Sequence, residues 1–135
     1  MGSPVQSRTG PTLVVIAFLD GRRTQGYIYD FSALRERCKV FPSPMAAEGE
    51  DVSLKQLKAI FFVEELAPDK TAPAAPGRKI EVLFSDGEKL HGTTQGYTPE
   101  RLGFFIIPHD TGGEKFRILR IFIINANVKK VTWIR

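Results

Sequence analysis

Apolar residues recur along the chain in short runs with a period of two. Val14, Ile16 and Phe18 alternate, and so do Ile80, Val82 and Phe84, the latter with polar Glu81 and Ser85 at intervening positions. Such alternation predicts half-buried strands. In the first run Val15 and Ala17 are apolar too, which predicts a strand covered on both faces. Asp-Gly follows at 20–21 and again at 86–87. That pair is the hairpin signal of a type I′ turn, whose central residues need positive φ. A second strand runs through Gly26 or Gly92, where the missing side chain lets a strand bend sharply, as closing a small barrel requires. A third strand ends at Val40-Phe41-Pro42, and its equivalent spans Phe104 to Pro108; two more short strands follow in each case. Ser53 to Leu66 also fits an amphipathic helix, with Leu54, Leu57 and Phe61 on one face. The matching later segment carries Val128, Val131, Thr132 and Trp133, which favour strand. If the two segments share a fold, strand wins.

The pattern is an internal repeat. Phe18-Leu19-Asp20-Gly21 matches Phe84-Ser85-Asp86-Gly87 at an offset of 66 residues. The same register pairs Gly26 with Gly92, Phe31 with Tyr97, Ser32 with Thr98, Arg35 with Arg101, and Val40-Phe41-Pro42 with Ile106-Ile107-Pro108. Beyond Pro42 the offset becomes 71, pairing Val52–Val63 with Ile123–Ile134. The extra residues of the second copy fall around Asp110-Thr111-Gly112-Gly113. Residues 67–79, APDKTAPAAPGRK, are rich in Pro and Ala and read as a stiff linker. The expected organisation is a flexible N-terminus at 1–10, a first copy at 11–66, the linker at 67–79 and a second copy at 80–135. Phe61 and Phe62 are adjacent, so in a strand they point to opposite faces, and one must leave its own core to dock on the other copy or on a partner.

With 135 residues, 42% hydrophobic and 25% charged, the chain suits one ordinary domain or two very small ones. Its longest apolar stretches have strand length, far short of the ~20 residues of a bilayer helix. The start, MGSPVQSRTG, lacks the features of a signal peptide. Lone Cys38 fits a reducing compartment, so the expectation is a soluble cytoplasmic protein without membrane insertion. Residues 1–66 hold eight Lys plus Arg against eight Asp plus Glu, and residues 67–135 hold eleven against seven. The surplus of the formal net charge of +4 therefore sits in the second half, scattered rather than clustered.

Catalytic chemistry finds little support. Asp20 and Asp86 each precede a turn Gly, where Asp caps its own backbone. His91, His109 and Cys38 lack metal-ligand spacing, and Gly112-Gly113 is an isolated hairpin tip rather than a phosphate loop. No cofactor is expected. Asp30-Phe31-Ser32 echoes a cyclic-dinucleotide motif, but Arg35 stands where that motif needs Gly. Arg35 and Arg101 are the one charged match at corresponding loop positions. They either contact phosphate or carboxylate, or cover Phe31 and Tyr97 with their stems.

Strand, Asp-Gly turn, Gly-bearing bent strand, aromatic, third strand, loop and a final Val-x-x-Val strand together resemble the Sm-like fold. Phe18, Asp20, Gly21, Arg22, Gly26 and Phe31 carry the resemblance in the first copy. Phe84, Asp86, Gly87, Gly92, Tyr97 and Ile124-Asn125-Ala126-Asn127-Val128 carry it in the second. The chain is also similar to an uncharacterised bacterial domain family common in deltaproteobacteria, through its DG turns and LKAIFFVEEL (57–66). The resemblance implies an all-β protein of two tandem five-stranded small barrels. It also implies uridine binding in Sm proteins through an Asp, an Asn and an Arg-Gly pair, none of which stands at the matching loops here. The functional expectation is a non-enzymatic adaptor in bacterial regulation or assembly, bound to another protein or to itself as a homodimer. The alternative is RNA or DNA binding through the basic second copy, using Lys89, Arg101, Lys115, Arg117 and Arg120 with stacking by Tyr97 or Phe116.

Overall fold

A computed structural model describes residues 11–29, 31–65, 77–109 and 116–134. The N-terminal residues 1–10, residues 67–76 of the expected linker with Leu66 before them, Asp30 and the Gly112-Gly113 tip lie outside the described residues. Among the described residues the strands are β1 Thr12–Phe18, β2 Arg23–Ile28, β3 Arg37–Val40, β4 Glu50–Ser53, β5 Leu57–Glu65, β6 Arg78–Phe84, β7 Lys89–Thr94, β8 Gly103–Pro108, β9 Phe116–Ile124 and β10 Val128–Trp133. Single 3-10 turns at Leu54–Gln56 and Asn125–Asn127 precede β5 and β10. The helix reading of Ser53–Leu66 therefore fails. From Ala59 onward successive side chains alternate between the two cores, and the bulge at Lys58 puts Leu57 on the side opposite Phe61, which it would share in a regular strand.

Eight strands form one antiparallel sheet in the order β10-β6-β7-β8-β9-β5-β1-β2, and β3 pairs with β4 separately. Tyr27 and Phe41 exchange backbone hydrogen bonds of 2.8 Å, which tie β2 to the segment after β3. The same pairing order recurs in each half: β5-β1-β2 leading on to β3-β4, and β10-β6-β7-β8-β9. The protein is all-β as expected, and its large sheet, which does not close, runs through both halves. Arg78 and Lys79, placed in the linker by composition, already belong to β6.

Two apolar clusters fill the interior, and neither belongs to one half alone. Phe122 and Ile124 of β9 pack with Val14, Ile16, Ile28, Leu54, Ile60 and Phe62 of the first half. Ala59, Phe61 and Val63 of β5 pack with Ile80, Val82, Phe84, Phe104 and Ile106 of the second. Because successive side chains of a strand alternate faces, continuous apolar runs on β5 and β9 serve both clusters at once. Phe61 leaves its own half by this route, and Phe122 makes the reciprocal crossing.

Both Asp-Gly hairpins close one residue earlier than a type I′ turn would. The Gly21 N–H donates to Phe18 O at 3.2 Å and the Gly87 N–H to Phe84 O at 2.9 Å. Gly21 and Gly87 then take φ of +94° and +95°. That geometry is a three-residue loop with glycine in the left-handed position. Gly92 has a different reason: an added Cβ would lie 2.6 Å from the Ile107 carbonyl oxygen where β8 crosses β7.

Candidate functional site

The residues singled out from sequence do not converge on one site. Arg35 and Arg101 occupy equivalent turns, each donating its N–H three residues back, to Ser32 O at 3.3 Å and Thr98 O at 3.1 Å. Arg35 lines a shallow groove with Tyr29, Cys38 and Asp51. Arg101 instead lines an open groove of about 440 Å3 with Thr93, Phe105 and Arg120. The Arg120 guanidinium lies over Phe105 and Phe62, at 4.3 and 4.7 Å from the ring centroids. Tyr97 is half-buried, edge-on to Phe104 at 4.8 Å and to Trp133 at 6.3 Å, so its ring faces protein. Arg117 is bonded to Glu64 across the β5·β9 pair. Phe116 joins β9 through its backbone, and its side chain lies outside the described residues, as does Lys115.

Burial pushes the Cys38 thiol up to about 11, with the nearby Asp51 charge adding to the effect, so the thiolate nucleophile is suppressed. The His91 Nε2 lies 2.7 Å from a Glu81 carboxylate oxygen. Among the described residues no group of three His, Cys, Asp or Glu could hold a metal ion, and no helix is long and apolar enough to cross a membrane.

What the fold does build is a joint in its middle and, among the described residues, two strand edges without a partner. At the joint β5 pairs with β9 in the register Ala59↔Ile123, Ile60↔Phe122 and Phe61↔Ile121. Lys58 sits in a bulge of β5, buried, and bonds Asp86 at 2.7 Å together with Glu88 from the β6–β7 turn. Burial alone would lower the Lys58 pKa, but the hydrogen bonds to Asp86 and Glu88 outweigh it and hold the ammonium above its ordinary value. Asp86 moves the other way: its hydrogen bond from Lys58, with that from the Glu88 N–H, holds it below the ordinary carboxylate range. The Asn127 amide completes the joint by donating to Lys55 O at 3.0 Å and Leu57 O at 2.6 Å.

At the ends the ladders stop. β10 and β2 are the outermost strands of the large sheet; the Tyr27–Phe41 bridge ties β2 to the segment after β3, and β4 lies on the far side of β3 in the small ladder. Among the described residues, β10 and β4 each have one side with no strand partner. Lys129, Lys130, Thr132 and Trp133 are exposed on β10, as are Glu50 and Asp51 on β4 with Glu48 just before it. Trp133 is 39% exposed, with the Arg78 guanidinium 4.4 Å from its ring and Ile134, 37% exposed, beside it. Asp51 is held by Arg37 at 2.8 Å. Among the described residues no ion pair engages Glu48, Glu50, Lys129 or Lys130. The sequence reading missed these edges, although a signal was present. Where the joint has Ala59 and Ile121, the matching repeat positions hold Lys130 and Glu50.

Residues 10–135 match the model of a family of unknown function, DUF6982, and the chain belongs to that family. No curated protein and no solved structure matches it.

Proposed function

We propose that this member of the DUF6982 family is a non-enzymatic binding module, an adaptor in regulation or assembly that acts through protein–protein contacts. The exposed edge of β10 receives an extended polypeptide segment as an added strand. The observation that carries this reading is the side of β10 that has no strand partner among the described residues, flanked by Lys129 and Lys130 and ending at half-exposed Trp133 and Ile134. Backbone pairing supplies affinity in such recognition, and side chains beside the edge supply selectivity. Two lysines beside an aromatic favour an acidic segment with alternating apolar residues. The recurrence of one strand order in both halves, with a 3-10 turn before each last strand, supports reading each half as an Sm-like unit.

Fluorescence anisotropy tests the reading, using a labelled peptide of alternating Glu and Val, a single-stranded RNA and a DNA duplex at low and near-physiological salt. The peptide is expected to bind, and to be lost on Lys129→Glu with Lys130→Glu. Nucleic-acid binding that falls steeply with salt and disappears on Arg101→Glu with Arg120→Glu would instead place function in the groove beside Phe105.

A further inference from the structure

We propose that the segment received by β10 is β4 of a second identical chain, so that chains associate head to tail; this rests on the edge reading above. The molecule already contains one contact of this kind. At the joint the fifth strand of the first half, β5, pairs with the fourth strand of the second half, β9. That leaves the fifth strand of the second half, β10, and the fourth strand of the first half, β4, as the outer strands of their ladders. One chain therefore ends in the two strand types that pair with each other in its interior.

The charges sort the possible pairings. Lys129 and Lys130 lie on β10, whereas Glu48 and Glu50 lie on or beside β4. Two β10 edges would set Lys against Lys, and two β4 edges Glu against Glu, so like-with-like pairing is opposed. Only β10 against β4 brings opposite charges together. Carrying the joint's register over by the repeat sets Lys130 opposite Val52 and Thr132 opposite Glu50. Lys130 then neighbours Glu50 diagonally on one face. Lys129 occupies the same bulge as Lys58, and by the same correspondence it faces Asp20 where Lys58 meets Asp86. Asp20 is exposed and ion-paired only to Arg22 among the described residues. The contact is heterologous, so repeated use closes a ring or extends a filament. Its polar, exposed composition makes it reversible and salt-sensitive, unlike the apolar joint.

Sedimentation of the full chain at low salt, over a wide concentration range, tests this. The expected result is a mass that rises above the monomer with concentration and falls back on adding salt. Lys129→Glu with Lys130→Glu, and separately Glu48→Lys with Glu50→Lys, should each give a monomer with unchanged thermal unfolding, since all four side chains are exposed. Mixing the two variants should restore association, because each supplies the charge the other lost. A wild-type chain that stays monomeric, or association indifferent to both variants, overturns the proposal. A monomeric chain that still binds the Glu-Val peptide through Lys129 and Lys130 overturns self-association while leaving the edge reading intact. Loss of peptide binding as well removes both.

Discussion

Lys58 and Lys129 stand at the same place in the two halves, each in a bulge at the start of the last strand, yet they live in opposite surroundings. Lys58 is buried and bonded to two carboxylates of the other half, whereas Lys129 is exposed at the sheet edge. The backbone irregularity is shared, because the repeat encodes it. The role of the side chain follows from whether another strand covers it. The same contrast holds for the strands: β5 is apolar on both faces because β9 and both clusters cover it, and β10 carries lysines because its outer side is bare.

The contrast can be broken most severely at the joint. Phe122→Ala should cost about 3–5 kcal/mol, since a fully buried ring leaves a cavity in the cluster of the other half. Urea unfolding followed by fluorescence and by far-UV circular dichroism should still show one coincident transition, because both clusters share β5 and β9. Separate transitions would show that the halves fold independently. Gly92→Ala comes next, at about 1–3 kcal/mol, as its Cβ would press on the Ile107 backbone and force β8 away from β7.

A smaller effect separates the two lysines directly. Lys58→Met should lower stability by about 1–2 kcal/mol, limited because Asp86 and Glu88 can turn to water. Lys129→Met should change it by less than about 0.5 kcal/mol in the monomer. Equal effects would remove the distinction between joint and edge.

The smallest effect is in pH. Asp86 is held below its ordinary value, so its contribution is present above about pH 4 and lost as pH falls through the lowered pKa. Lys58 is held above its ordinary value, so its contribution is complete below about pH 10 and lost as pH rises through the raised pKa. The stability difference between wild type and Lys58→Met, measured by urea unfolding across pH, should therefore be flat through neutrality and shrink at both extremes.

Much of the fold was written in local pattern. Period-two alternation at Val14, Ile16 and Phe18, the Asp-Gly pairs and the offset of the repeat marked the strands, the hairpins and the two halves. These signals are local because pleat and turn geometry involve only neighbouring residues. Adjacent Phe61 and Phe62 already required that one of the two rings leave its own core. The candidate site was far less legible. Arg117 looked available as a cation, but Glu64 takes it up from across the joint, and Tyr97 looked available for stacking, but Phe104 and Trp133 enclose it.

By itself, then, the sequence determined an all-β chain made of two similar halves, the positions of its turns, and the alternation that sends Phe61 and Phe62 to opposite sides. Only the tertiary structure decided that β5 meets β9, that the sheet runs unbroken through both halves, and that β10 and β4 are left at the ends. Strand pairing between distant segments rests on backbone groups common to every residue, so no side-chain pattern names the partner. The partner is chosen when two apolar faces must be covered at once, and β5 against β9 is the pairing that covers them.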